Sequence, residues 1–583
     1  MPVMQQGRDA RKLWSWLTRL RLMLLGHEDL AGVVFWAALV GLCAALSSVA
    51  FREGLRFMEM LFTGQATSLE HAAAALPWWH RVLLPACGAV LAGFVLRLAG
   101  KVLPSPRVVD YMEVVRAGDG RIGVRATLAN CCSSLLSIAS GGSIGREGPM
   151  VQLAAMCGSR VGILGRAPIP RLRLMVACGG AAGIASAYNA PISGALFVSE
   201  IILGGTTMES FGPLVVASVT ASATVHRFMG YAPLYEIPKV AIASNRELIF
   251  FVLLGVLLGH LAPPFLSLLD FAKSRFVGLR LPRQWQLGLG GLIVGVISVW
   301  VPEVWGNGFT AVSDILNAQL AGWVLLAILA AKVLATAATV GSGAVGGVFT
   351  PTLFLGCAIG GLFGGVLHPL LPAFTSGPAA YALAGMGGFL AATTHAPLTS
   401  ILMLFEMTLD YDMVLPLMLV CVTAHYTAKV YRRGESVYHA ALTASREGGP
   451  WELGSVGALV KPAGATVDGD TSLGAMFAHL PARPLERVYV TEGEDLVGWL
   501  DLRQLVPQFS SKRLDASAPV RSVSTPVTET LTSDMSLGTA LDCFLQAGAN
   551  VLPVTSGQWS NNLLGEVYRR DVVLAVQDRH SSL

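Results

Sequence analysis

Glu147 stands in the run Gly141-Gly142-Ser143-Ile144-Gly145-Arg146-Glu147-Gly148-Pro149, between long apolar stretches of a 583-residue chain. A carboxylate at bilayer depth is costly and by default marks an ion or proton path. The glycines leave backbone N–H groups open to a ligand, and Pro149 can occupy a first helical turn without losing a needed donor. A helix N-terminus facing a cavity attracts anions through its unpaired N–H groups and its dipole. The run therefore predicts an anion site with an acid in its mouth. The plainer reading, a Glu that merely favours a first helical turn, suits a soluble protein better than membrane depth. Gly141 to Gly145 also spells G-x-S-x-G, the pattern of a nucleophilic serine, which needs a strand before it, a helix after it and a later Asp and His. No β-branched run precedes Gly141, so a membrane hydrolase is a remote alternative and the chain is not read as an enzyme. A cation transporter is disfavoured, because the site offers N–H donors and Arg146 rather than converging carboxylates and carbonyls.

The pattern occurs twice. Gly145-Arg146-Glu147-Gly148-Pro149 is followed by Gly179-Gly180, Asn189-Ala190-Pro191 and Glu200; Gly346-Gly347-Val348-Phe349-Thr350-Pro351 is followed by Gly385, His395-Ala396-Pro397 and Glu406, the final acid following its Ala-Pro turn at the same spacing in both. Four landmarks in one order point to two halves built around a midplane site, with helices interrupted by Gly and Pro.

The elements that must hold these residues are apolar helices. The chain is 53% hydrophobic and 13% charged, unlike a soluble domain. Stretches long enough to span recur at Ala31–Ala50, Leu248–Leu269 and Trp285–Pro302, and no Asp, Glu, Lys or Arg lies between Val333 and Phe405. That segment is rich in Gly and Pro, as expected of broken helices lining a cavity. A net charge of +4 gives no footing for nucleic-acid binding. Arg8, Arg11, Lys12, Arg19 and Arg21 precede the first span and place the N-terminus in the cytoplasm. That start lacks the cleavage site of a signal peptide, and Trp14 and Trp16 fit either a membrane-surface helix or a short cytosolic one. The nine cysteines include no CxxC and are read as small hydrophobes, neither disulfide partners nor metal ligands.

At Glu447–Trp451 the composition turns polar around Gly448-Gly449-Pro450. The tail repeats as well: Asp470-Thr471-Ser472-Leu473-Gly474 matches Asp534-Met535-Ser536-Leu537-Gly538, each opening a capped helix that leads to a pair of strands. The expected organisation is a cytoplasmic segment 1–29, a transmembrane domain 30–446 with halves of about 30–230 and 246–446, a linker 447–455, and a tandem α/β tail 456–576 divided at about 456–513 and 523–576.

The strings Gly145-Arg146-Glu147-Gly148-Pro149 and Gly347-Val348-Phe349-Thr350-Pro351, with Ser436-Val437-Tyr438-His439 after them, resemble the CLC family of chloride channels and proton-coupled chloride transporters, and the tail resembles a CBS domain pair. The resemblance implies an α-helical polytopic membrane protein with inverted-topology repeats and broken helices, carrying a soluble α/β tail. It implies a homodimer with one pore per subunit, in a bacterial inner membrane with both termini cytoplasmic, working on chloride or a similar small anion, with protons and membrane lipid as its other partners. Glu147 takes the place of the gating glutamate. Gly145, Arg146, Gly148, Gly347, Val348 and Phe349 take the anion-binding places, and Tyr438 that of the tyrosine closing the inner side. The family's serine-bearing run falls on Leu103-Pro104-Ser105-Pro106-Arg107-Val108-Val109, where Ser105 or Pro106 takes the serine's place beside Arg107. Proton-coupled members carry two consecutive acids where this chain has Glu200 followed by Ile201, a feature of channels. Glu200 itself is expected to accept bonds where its helix ends. Antiport and passive voltage- or pH-gated conduction both stay open, with antiport preferred because Glu147 stands in an intact motif. No cofactor is implied: of the positions at which CBS modules hold nucleotides, Asp501, Gln504, Tyr568 and Asp571 here, only Asp571 fits, so packing and dimerisation is the favoured role of the tail.

Overall fold

The computed structural model describes residues 30–583 except 66–67, 103–109, 117, 205–207, 231–234, 236–243, 321, 433–435, 439–454, 481–486, 494, 512–513, 528, 548, 558–559 and 582–583. The segment 1–29, the run from Leu103 to Val109 with Ser105, Pro106 and Arg107, and the linker up to residue 454 lie outside the described residues. Contacts divide the chain into one unit ending at Leu442 and another beginning at Thr443.

The first unit is helical because apolar backbone in lipid must satisfy its N–H and C=O groups within its own segment. Its first half contains α1 (Leu30–Thr63), α2 (Leu69–Ala75), α3 (Trp78–Val102), α4 (Tyr111–Arg116), α5 (Val124–Ala139), α6 (Glu147–Leu164), α7 (Ile169–Tyr188), α8 (Pro191–Phe197) and α9 (Met208–Met229). Its second half contains α10 (Leu248–Gly278), α11 (Arg283–Ser298), α12 (Phe309–Leu316), α13 (Gly322–Gly341), α14 (Phe349–Leu370), α15 (Pro378–Thr394), α16 (Pro397–Thr408) and α17 (Val414–Arg432). Among the described residues 6 helices are long and apolar enough to cross a membrane. Others are too short to do so: α8 has 7 residues and α16 has 12, against about 20 for a full span.

The repeated landmarks become matched elements. α7 and α15 each end on a residue in the left-handed region, Asn189 and His395, both at φ 58°. An alanine then turns the chain into a helix opened by Pro191 or Pro397. Small residues let the helices of each half touch through their backbones. A side chain at Gly179 of α7 would strike the Ala154 carbonyl of α6, and one at Gly360 of α14 would strike the Tyr381 carbonyl of α15.

The halves also cap each other. Glu406 of α16 accepts from Ile192 N at 2.9 Å, Ser193 N at 2.8 Å and Ser193 Oγ at 2.5 Å, at the start of α8. Glu200 lies in a π-helical turn, Val198–Leu203, and accepts from Leu398 N at 3.3 Å, Thr399 N at 2.9 Å and Thr399 Oγ1 at 2.7 Å, at the start of α16. Glu200 thus serves the helix start of the opposite half rather than the end of its own. Each carboxylate neutralises orphan N–H groups and faces a positive dipole end.

The second unit carries α18 (Leu473–His479), α19 (Leu502–Ser510), α20 (Leu537–Ala547) and α21 (Arg569–Ser581) with the sheet β1 (Thr466–Asp468), β2 (Arg487–Glu492), β3 (Asp495–Asp501), β4 (Thr525–Pro526), β5 (Leu531–Thr532), β6 (Val551–Gly557) and β7 (Ser560–Tyr568). The sheet order is β1-β2-β3-β7-β6-β5, with β4 on β3. It is a mixed sheet: β1 runs parallel to β2 and β5 to β6, while the two hairpins are antiparallel. Two apolar cores lie along it. Val456 enters the core of Leu531, Phe544 and Val567, and Val520 enters that of Leu473, Val490 and Leu500. The lead segments are exchanged, so neither repeat is one contiguous stretch, in contrast to a plain split at 456–513 and 523–576.

Candidate anion site and its carboxylate

Two loops meet where the halves face each other. Gly145 N donates to Gly347 O at 2.7 Å and Gly347 N donates to Gly145 O at 2.8 Å, forming a single antiparallel bridge between corresponding glycines. α6 begins at Glu147 and α14 at Phe349, directly after that bridge. Both helix starts border a cavity of about 480 Å³ lined by Glu147, Gly148, Gly347, Val348, Phe349 and Tyr438 among others. Each start contributes roughly half a positive charge, an electrostatic setting that favours an anion over a cation.

The first loop is held from behind. Gly141 sits at φ 109°, where a side chain would collide with the Trp305 ring. Buried Lys332 fixes that neighbourhood by donating to Val304 O and Gly306 O, both at 3.0 Å. Ser143 N donates to Thr339 Oγ1 at 3.2 Å, and Ser143 Oγ lies 3.2 Å from Thr336 Oγ1. Ser143 is fully buried, and α5 rather than a strand precedes its loop. The hydrolase elbow is absent, and the Gly-Ser-Ile-Gly sequence is a helix break.

Glu147 is 6% exposed. Its Oε1 accepts a short hydrogen bond from Thr350 Oγ1, and Tyr188 Oη lies 3.1 Å from the same hydroxyl. Its Oε2 has no hydrogen-bond partner among the described residues. That oxygen folds back over Gly145, where any side chain would meet it, which is one reason position 145 is glycine. An unpaired buried carboxylate oxygen is costly and calls for a partner such as a water, an ion or a proton.

Tyr438 stands edge-on to Phe197, with ring centroids 5.5 Å apart at 87°. Phe197 in turn meets Phe349 at 6.2 Å, and Phe349 meets Tyr188 at 4.9 Å. The tyrosine is anchored by Val437 N donating to Thr393 O at 2.9 Å. The structure therefore gathers Glu147, Gly148, Gly347, Val348, Phe349 and Tyr438 around one cavity. Gly145 supplies the bridge, and Arg146 occupies the N-cap position of α6, outside the lining. Sequence reasoning missed Tyr188, Thr350, Asp110 and Lys273. Tyr188 directly precedes the Asn-Ala-Pro landmark and Thr350 lies inside the second motif, so both carried a signal. Asp110 directly follows the Leu103–Val109 run and so carried a signal too, whereas Lys273 lines the cavity from a helix with no motif.

The sequence profile of the family described as voltage gated chloride channel matches residues 87–429. A ClcB-like chloride channel protein of Ralstonia nicotianae is 50% identical over 415 residues, covering 70% of this chain and 96% of its own. A voltage-gated ClC-type chloride channel ClcB of Salmonella typhimurium is 40% identical, with 70% and 98% covered. Among solved structures, that of a slow cyanobacterial Cl−/H+ antiporter superposes with TM-score 0.62 at 26% identity, over 71% of this chain and 97% of that one. A eukaryotic CLC transporter shares the fold with TM-score 0.60 at 17% identity over 92% of this chain, a span that extends into the C-terminal unit. The chain belongs to the CLC family of voltage gated chloride channels. It is an integral membrane protein of a chloride-transporting family whose members are channels and transporters rather than enzymes.

Proposed function

We propose that the protein exchanges chloride for protons across a bacterial inner membrane, with Glu147 as the gate. The observation that carries this reading is the Glu147 carboxylate at a helix start facing a second helix start, with Thr350 Oγ1 donating to one oxygen and the other oxygen unpaired among the described residues. A charged carboxylate competes with an anion for the positive helix ends, and a protonated one has no such hold. Chloride flux should therefore rise as pH falls. The backbone N–H groups near Val348 and Phe349 hold the anion, and Tyr438 narrows the other end of the cavity. In this reading Ser105 or Pro106, beside Arg107, takes the place of the family's anion-contacting serine. The chain works as a homodimer with one pore in each subunit, and its tail is a CBS pair that packs and dimerises. Asp571, the one residue of nucleotide-binding type, is paired with Lys461 Nζ at 2.6 Å. Both termini face the cytoplasm.

Chloride-loaded liposomes carrying the purified chain should release chloride once a counter-ion path is supplied, and Glu147→Ala should remove the pH dependence of that release. No release above empty liposomes ends the transport reading. An unchanged pH dependence in Glu147→Ala ends the assignment of the gate. The second reading is a passive channel, and Ile201, buried where proton-coupled relatives carry an acid, is the observation in its favour.

A further inference from the structure

The cavity that holds Glu147 has a second carboxylate in its wall, Asp110. These two are the acids among its lining residues. Asp110 immediately precedes α4, and α4 packs against the π turn that carries Glu200 and Ile201. Arg116 ties the two together by donating from Nε to Ile202 O at 2.7 Å. Tyr438 rests on Phe197, the residue just before that turn. Asp110 therefore lies at the Tyr438 end of the cavity, and both it and Glu147 act electrostatically on the Tyr438 phenol.

We propose that Asp110 is the second proton-carrying acid of the transport cycle, standing where the chain offers no acid at Ile201. The proposal rests on the exchange reading above. The alternatives nearby are committed. Ile201 is buried hydrocarbon. Both oxygens of Glu200 accept bonds from Leu398 and Thr399, so it serves as a helix cap. Asp110 uses Oδ1 to accept from Met112 N at 2.8 Å, and among the described residues Oδ2 is left for a proton. A cavity of about 480 Å³ has room for on the order of ten waters to link the two acids. Among the described residues the other charged or titratable groups around Asp110 are Glu113 on its own helix, the adjacent Tyr111 and Tyr438, with Tyr188 of α7 and Lys273 of α10 in the wall of the same cavity.

The step is a proton relay. A proton from bulk water at the Tyr438 end binds an Asp110 oxygen, then passes through cavity water to Glu147 Oε2, and Asp110 returns to the carboxylate. Only O–H bonds form and break. In this step Asp110 carries the proton and not the anion, so its substitution lowers the protons moved per chloride.

Asp110→Asn keeps an oxygen acceptor for Met112 N and so preserves the start of α4. In liposomes carrying the full chain and driven by a chloride gradient, the number of protons moved uphill per chloride should fall by about tenfold or more in this variant. Asp110→Glu should retain proton movement, and Ile201→Glu placed in the Asp110→Asn background should restore it. Wild-type proton movement in Asp110→Asn overturns the proposal and leaves exchange standing. Loss of both fluxes in Asp110→Asn that Asp110→Glu also shows overturns it too. Absence of uphill proton movement in the wild type removes exchange and this proposal together.

Discussion

The two halves of the membrane unit are alike in their supports and unlike in their chemistry. Gly145 and Gly347 pair with each other, Asn189 and His395 share one backbone conformation, and Glu200 and Glu406 each cap the other half's helix start. At the cavity the correspondence breaks. Where the first half places Glu147, the second places Phe349, and where the first has Gly148, the second has Thr350, whose hydroxyl holds Glu147. The shared parts are those that backbone geometry demands, because any helix ending inside a membrane needs its orphan groups satisfied. The unshared parts give one helix start a titratable carboxylate and the other an aromatic ring, and in the proposed reading only the first responds to protons.

The largest expected effect tests that asymmetry. Glu147→Gln should abolish proton movement and flatten the pH dependence of chloride flux, whereas Phe349→Leu should change the size of the flux and keep its pH dependence. A pH response lost in Phe349→Leu would mean that the halves share the proton role. The symmetric part is tested next. Glu200→Ala and Glu406→Ala should each lower stability in detergent by about 3 kcal/mol, since each strips three bonds from a helix start. Thermal unfolding that shows one of them to be neutral would show that the reciprocal caps are not equivalent. Thr350→Val removes the donor that seats the Glu147 carboxylate. At a fixed pH it should raise chloride flux by about three- to tenfold, as expected for a hydrogen bond worth about 1 kcal/mol. The smallest effect is in the tail, where the partly exposed Lys461–Asp571 pair should contribute under about 1 kcal/mol on Lys461→Ala.

Much of this arrangement was legible in the sequence because Gly and Pro punctuate it. Pro149, Pro191, Pro351 and Pro397 each lie within the first turn of a helix, and charge-free runs marked the spans. Glu147 stood out for its cost at membrane depth. The destination of Glu200 was not visible, because its partners Leu398 and Thr399 are brought to it only by the folding of the other half. Asp110 reaches the cavity from just before a short helix, directly after the Leu103–Val109 run, where only the run itself drew notice, and Lys273 from one face of a long span with no local signature. The exchanged lead segments of the tail escaped for a similar reason: Val456 and Val520 are apolar residues whose choice of core is a tertiary matter.

The central claim is that Glu147 couples chloride to protons. Its most direct test imposes a chloride gradient across liposomes carrying the wild-type chain, with the membrane potential clamped and no pH gradient at the start, and records the internal pH. The account predicts protons moving against the gradient they build up, opposite in direction to chloride, with this movement absent in Glu147→Gln. Brisk chloride flux with no uphill proton movement in the wild type would contradict it and make the protein a channel.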